Sequence, residues 1–190
     1  MFTRELPVLR GISEEKRRSL ISGLSDDEQK IVGDLYQIAV NAFTLKQISD
    51  TYWTSNIRRV FESRAKQLNL LCCHSDHIRE WLYDISWFEV PSSADKTENW
   101  KEARRLVMAC ESEWSENEDE ILWDFFKLSW SNAELRIFIY TNHIKRGAAE
   151  HPADLCYRLC PPSKGTCYLL IGFPKHPQKG ETFRVDSWNT

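Results

Sequence analysis

The chain has 190 residues, with 25 Lys and Arg against 28 Asp and Glu, so its formal charge is −3. Hydrophobic residues make up 42% and charged residues 28%, which is typical of a globular domain and not of a disordered or fibrous chain. No apolar run approaches the ~20 residues that span a bilayer. Because no long apolar stretch follows the first basic residues, we expect neither a membrane protein nor a secretory signal.

Charge is distributed unevenly along the chain. Residues 71–135 carry 6 basic and 15 acidic residues, a net charge of −9, whereas residues 1–70 carry +2 and residues 136–190 carry +4. An acidic middle between mildly basic ends can hold a cation and still meet an anionic polymer. The alternative is that Glu116, Glu118, Asp119 and Glu120 simply form the solvated start of a helix.

Cysteine usage favours reduced, structural thiols in a cytosolic protein. Cysteines occur in three apolar runs of the sequence, where a free thiol behaves as a small hydrophobic side chain. A zinc site is the alternative, although its spacing is irregular. The cysteines are Cys72, Cys73, Cys110, Cys156, Cys160 and Cys167, and the zinc alternative uses the last three with His151.

The first part of the chain, residues 1–70, is predicted to be a helical extension. A helix is expected over 13–24, and a second begins at the capping-box pattern Ser25-x-x-Glu28. Apolar residues then recur at a period near 3.6, and the same period predicts a third helix over 56–69.

Residues 71–190 are predicted to form a mixed α/β sheet. Aromatic and branched residues predict strands, and a second capping box, Ser115-x-x-Glu118, predicts a helix that ends near Asn132. A short helix is possible within 142–159. The expected strands span 82–90, 105–114, 135–141, 166–173 and 183–185.

Acidic residues lie on two neighbouring strands of the predicted sheet. Asp84 lies in the first, and Glu111 and Glu113 lie at the acidic end of the second. Residues two apart on a strand share a face, so Glu111 and Glu113 project together. Adjacent carboxylates repel and favour solvent or a cation, and oxygen-only ligands favour Mg²⁺, Mn²⁺ or Ca²⁺ over zinc. The alternative is a strand that surfaces at its end with solvated glutamates.

This arrangement resembles the PD-(D/E)XK nuclease superfamily, which has the restriction-endonuclease-like fold. The similar stretches are EWLYDISWFE, VMACESEW, DFFKL and ELRIFIYT, within residues 80–141. The resemblance implies a helix leading into a mixed sheet, followed by a helix and a further strand. It also implies that Asp84 and Glu111 are the acidic ligands of Mg²⁺ or Mn²⁺.

One position departs from the family pattern. Glu113 stands where most members carry lysine, although some members carry Glu-x-Glu and others place the lysine on the following helix. Lys127 is the candidate on that helix, with a solvated lysine as the alternative. Glu113 is then a third metal ligand or a base, and Glu62 or Glu80 is a further candidate for the metal shell.

The resemblance therefore implies a metal-dependent endonuclease that hydrolyses phosphodiester bonds in DNA. Asp84, Glu111, Glu113 and Lys127 are its expected catalytic residues. The alternatives are a catalytically silent protein of the same fold that acts as a protein-binding module, and an unrelated α/β interaction protein of immunity or antitoxin type. A homodimer or another protein partner is compatible with each of these.

Contacts to nucleic acid are expected to be few and electrostatic. Scattered basic residues are candidates for phosphate contacts, although each alone is typical of a solvated charge. Trp87 and Trp114, which flank the acidic positions, are candidate walls of the site. The basic candidates are Arg58, Arg59, Arg64, Lys66, Lys145, Arg146, Lys164, Lys175 and Lys179.

Overall fold

The computed structural model describes residues 2–7, 22–42, 45, 48–75, 82–91, 100–142, 150–159, 167–175 and 181–189. These residues form seven strands and four α-helices. The strands are β1 (Phe2–Pro7), β2 (Leu71–His74), β3 (Ile85–Glu89), β4 (Arg105–Glu113), β5 (Leu135–Thr141), β6 (Cys167–Phe173) and β7 (Thr182–Asn189). The helices are α1 (Asp26–Ala42), α2 (Asp50–Gln67), α3 (Glu118–Ser129) and α4 (Pro152–Leu159).

All seven strands belong to one mixed sheet, in the order β1-β7-β6-β5-β4-β3-β2. The central strands β4, β5 and β6 are parallel, and the outer pairs on both sides are antiparallel. The predicted mixed α/β architecture is therefore confirmed. Since α3 connects the parallel strands β4 and β5, the chain crosses one face of the sheet at this point.

Helices cover both faces of the sheet. Helices α1 and α2 pack on one face through residues such as Leu35 and Phe61. On the other face, α3 and α4 bury Phe125 and Cys156. Strand β5 is buried along almost its whole length, which explains its run of apolar residues from Ile137 to Tyr140. Alternate residues of β4 consequently face different helices.

The first of the two predicted capping boxes is confirmed. The Ser25 backbone N–H donates to Glu28 Oε2 at 2.7 Å, and the Glu28 N–H donates to Ser25 Oγ at 3.4 Å. The second is wrong, because Asn117 is the N-cap of α3 and its side chain accepts from the Asp119 N–H. Ser115 instead accepts from the backbone N–H of Asn117 at 3.0 Å.

Several element boundaries also differ from the prediction. The third predicted helix, α2, begins at Asp50 because Ser49 caps it. Strands β1 and β2 were not predicted, and β1 pairs with β7 at the other end of the chain. The helix predicted over 13–24 lies almost entirely outside the described residues. Among the helices of the described residues, none has the length and hydropathy that crossing a bilayer requires.

The described cysteines are free thiols, as predicted. Burial raises the pKa of Cys72 to about 12 and that of Cys73 to about 11, so both stay protonated. Cys156 is a buried residue of α4, whereas Cys167 Sγ lies 3.0 Å from Glu28 on the α1 face of the sheet. The zinc alternative is therefore wrong for this pair, and Cys160 lies outside the described residues.

Gly172 in β6 leaves room for a neighbouring tyrosine. A Cβ atom at this position would lie 2.9 Å from the hydroxyl oxygen of Tyr140, which is fully buried. We expect Gly172→Ala to destabilise the protein by about 1–3 kcal/mol through overpacking. Gly33→Ala at an exposed position of α1, with nothing within 4 Å of the new Cβ, should instead stabilise by about 0.5–1 kcal/mol. Urea unfolding measures both, and shifts of the same sign would contradict the explanation.

Candidate active site

The candidate site lies where the carboxyl end of β4 meets α3. Strand alternation directs Ala109, Glu111 and Glu113 to the α3 face, and Ala109 packs there with Phe125. Strands β3 and β4 pair Ile85 with Cys110 in antiparallel register. One step further along each strand, Asp84 and Glu111 are therefore neighbours.

An ion pair connects the strand to the helix. The Lys127 ammonium lies 3.0 Å from Glu111 Oε1 and 3.1 Å from Asp124 Oδ1. Lys127 is about one-third exposed, whereas the Glu111 side chain is 1% exposed. The predicted lysine on the following helix thus reaches the predicted acidic residue, because its long side chain extends around the helix.

Glu111 is an acidic side chain without adequate hydrogen bonds. Neither carboxylate oxygen accepts a well-formed hydrogen bond from a described residue, although Oε1 has the ammonium nearby. Burial and the charge of Asp84 raise the pKa of Glu111, Lys127 lowers it, and the net result is a pKa of about 8. A carboxylate in this position is stabilised by any additional cation.

Asp84 is fixed by the strand beside it. Its Oδ2 accepts from the Ser112 backbone N–H at 2.9 Å and from the Ser112 hydroxyl at 2.7 Å. Both bonds use the same oxygen, which leaves Oδ1 for a further ligand. The hydrogen bonds hold the carboxylate beside Glu111, just before β3 begins at Ile85 and not within the strand as predicted.

Glu113 forms a second acidic pair within the site. It accepts from the Ser115 backbone N–H at 2.6 Å and shares a hydrogen bond with the carboxyl group of Asp124. Burial raises the pKa of Glu113, the Ser115 bond lowers it, and Asp124 raises it again, with a net increase. The neighbouring carboxyl group of Asp124 therefore favours the protonated form of Glu113.

The oxygen donors suit a magnesium ion that keeps most of its water. In the part of the chain that is described, no three His, Cys, Asp or Glu side chains are arranged to hold a metal ion. Mg²⁺ is usually bound by one or two carboxylates, with waters and substrate phosphate completing its shell. Asp84 and Glu111 match that requirement because they are adjacent and Glu111 Oε2 has no hydrogen-bond partner among the described residues.

The two tryptophans predicted as walls of the site lie elsewhere. Trp87 packs against Phe61 of α2, and Trp114 packs against Trp53. Both belong to the core on the α1–α2 face, opposite α3. The prediction is wrong because Trp114 directly follows Glu113 and so points to the other face of the sheet.

The other candidate ligands and phosphate contacts are not part of this cluster. Glu62 Oε1 lies 2.6 Å from His74 Nε2, and Arg64 pairs with Asp34 on α1. Lys175 pairs with Glu116. Several candidates lie outside the described residues, namely Glu80, Lys145, Arg146, Lys164 and Lys179.

Two members of the cluster were not identified from the sequence. Asp124 lies three residues before Lys127, a spacing that places two side chains on one helix face. Ser112 faces the opposite side of β4 from Glu111. It reaches Asp84 because Asp84 lies next to β4, just before β3 begins. The helical spacing of Asp124 and Lys127 is visible in the sequence, whereas the contact between Ser112 and Asp84 depends on how the strands pair.

Comparison of the chain with protein-family models, curated proteins and solved structures gave no significant match in any of the three.

Proposed function

We propose that this chain is a metal-dependent nuclease that hydrolyses phosphodiester bonds in DNA. The observation that carries the proposal is the Glu111 carboxylate, which is buried beside Asp84 with Lys127 3.0 Å away. A buried carboxylate with unsatisfied oxygens costs stability, and such a cost is common at functional sites.

The order of elements supports a restriction-endonuclease-like core. Helix α2 leads into the antiparallel strands β2, β3 and β4, and α3 then leads into the parallel strand β5. This is the helix, mixed sheet, helix and further strand that the resemblance implies. Asp84 and Glu111 occupy neighbouring strand ends, as the pattern of acidic residues requires.

Asp84 and Glu111 are the residues that would hold Mg²⁺ or Mn²⁺. When bound, the metal supplies a Lewis acid that polarises the phosphodiester and lowers the pKa of a water molecule. Glu111 must be ionised to act as a ligand, so metal affinity should increase with pH as its proton is released.

The remaining residues position the substrate and move a proton. The Lys127 ammonium donates to a non-bridging phosphate oxygen, where negative charge increases in the transition state. Glu113 accepts the proton of the attacking water, and its raised pKa makes it a stronger base than an ordinary carboxylate. Asp124 holds Lys127 in place.

Incubation with supercoiled plasmid and with circular single-stranded DNA, in Mg²⁺ or Mn²⁺, tests the proposal. We expect the wild-type protein to nick or degrade at least one substrate and Glu111→Gln to lose this activity. Glu118→Gln is the matched control, because it makes the same chemical change at an exposed carboxylate on the first turn of α3. Mg²⁺ should also raise the melting temperature of the wild type and not that of Glu111→Gln.

Cleavage that survives Glu111→Gln would show that the site is elsewhere. A wild-type protein that neither cleaves DNA nor gains stability with Mg²⁺ or Mn²⁺ would favour the second candidate, a catalytically silent protein-binding module.

A further inference from the structure

Helix α3 has an exposed aromatic face that the proposed chemistry does not use. Trp123 is 70% exposed and Trp130 is 84% exposed, and Phe126 lies between them. The spacing of these residues places them on one helix face, opposite the buried Phe125. Large aromatic side chains seldom cluster in solvent unless they bind something.

These side chains and Lys127 line a groove of about 440 Å³, here called the α3 groove. Lys127 belongs to the groove and to the candidate site, because its ammonium contacts Glu111. A nucleic-acid chain whose phosphate contacts Lys127 would therefore lie next to the tryptophans. Lys127 thus connects the groove to the proposed site of cleavage.

A cation borders the groove at its other end. Trp130 also lines a neighbouring cavity of about 570 Å³, together with Arg104 and Leu82. Arg104 is exposed, and no described residue pairs with its guanidinium. The surface therefore runs from the Lys127 ammonium, along exposed aromatic rings, to the exposed Arg104 guanidinium.

We infer that the α3 groove binds unpaired nucleobases by stacking, so that the substrate of the proposed nuclease is single-stranded DNA or a duplex with unpaired nucleotides. Each nucleotide joins a flat apolar base to an anionic phosphate, which matches aromatic rings between two cations. In a continuous duplex the base faces are covered by neighbouring bases and cannot reach the rings. The inference rests on the proposed function, since that function puts DNA at the site.

Fluorescence anisotropy with labelled oligothymidylate, and with a blunt duplex of the same length, tests the inference. The measurement uses the Glu111→Gln background in EDTA, so that binding is measured without cleavage. We expect tighter binding of the single strand, and a loss of about 5- to 100-fold for Trp123→Ala or Trp130→Ala. Trp123→Phe and Trp130→Phe, which keep a ring, should restore most of the affinity.

Leu68→Ala is the matched control, because Leu68 at the end of α2 is exposed and apolar but has no ring to stack and lies on the other face of the sheet. It should leave the affinity for the single strand unchanged. Single-strand affinity that survives both Trp→Ala changes would overturn the inference. So would a dimer that the Trp→Ala changes convert to a monomer with unchanged DNA affinity, because the groove would then be a protein interface.

The proposed function and this inference fail separately. Metal-dependent plasmid cleavage combined with tryptophan-independent oligonucleotide binding would support the proposed nuclease and contradict the stacking site. Tryptophan-dependent binding without any cleavage in Mg²⁺ or Mn²⁺ would support the stacking site and contradict the proposed nuclease function.

Discussion

Replacing Glu111 by Gln is expected to make the protein more stable than the wild type at alkaline pH. In the unfolded chain Glu111 releases its proton near pH 4.5, whereas burial in the folded protein raises its pKa to about 8. Between these values the folded state holds a proton that the unfolded state has lost. The free energy of unfolding of the wild type therefore falls as pH rises through this window.

The total effect is large for a single side chain. At 1.4 kcal/mol per pKa unit, Glu111 costs the wild type roughly 3–5 kcal/mol above the window and nothing below it. Gln has the same size and no charge, so Glu111→Gln should match the wild type near pH 4 and exceed it near pH 9 by about this amount.

Urea unfolding of wild type and variant over this pH range measures the difference. The difference is the appropriate readout because other groups titrate in the same range. Burial lowers the pKa of His151 to about 3, which makes stability rise with pH up to the ordinary histidine value. That contribution is common to both proteins and cancels. Parallel curves for wild type and Glu111→Gln would show that Glu111 is not buried as described, and Glu118→Gln should follow the wild type.

Local sequence patterns predicted two kinds of element: a strand that is buried on both faces, and a helix start whose capping partners are close in sequence. Strand β5 was predicted with its observed limits, because a strand buried on both faces is rich in apolar residues, here Ile137 to Tyr140. The Ser25–Glu28 capping box was predicted because its two partners are three residues apart. Strand β1 was missed because it is short and pairs with β7 at the far end of the chain, which no local pattern records.

In the candidate site too, local patterns were predictable and contacts between distant parts of the chain were not. The alternation of β4 predicted that Glu111 and Glu113 share a face, and Lys127 was identified only through a family resemblance. Its contact with Glu111 depends on how α3 packs on the sheet. The pairing of β3 with β4 decides which carboxylate is buried and which is held by Ser112, so the sequence could not supply the pKa values or the orphaned oxygens.

Replacing Lys127 by Met is expected to reduce Mg²⁺-dependent cleavage by about 10²- to 10³-fold, the usual loss when one donor to transition-state charge is removed. A second effect distinguishes this role from a structural one. The ammonium lowers the pKa of Glu111, so its removal raises that pKa further. Because Glu111 must be ionised to bind metal, the remaining activity should require a higher pH than in the wild type.

Metal affinity and turnover should then change in opposite directions. Once Glu111 is ionised, Lys127→Met has one positive charge fewer beside the metal, so Mg²⁺ should bind more tightly than in the wild type while cleavage stays slow. Lys127→Arg keeps the charge and should retain the wild-type pH profile. Steady-state cleavage at several Mg²⁺ concentrations and pH values separates the two effects. A lower rate with an unchanged pH profile and unchanged Mg²⁺ affinity would show that Lys127 acts on neither Glu111 nor the metal, and the ion pair would then be structural.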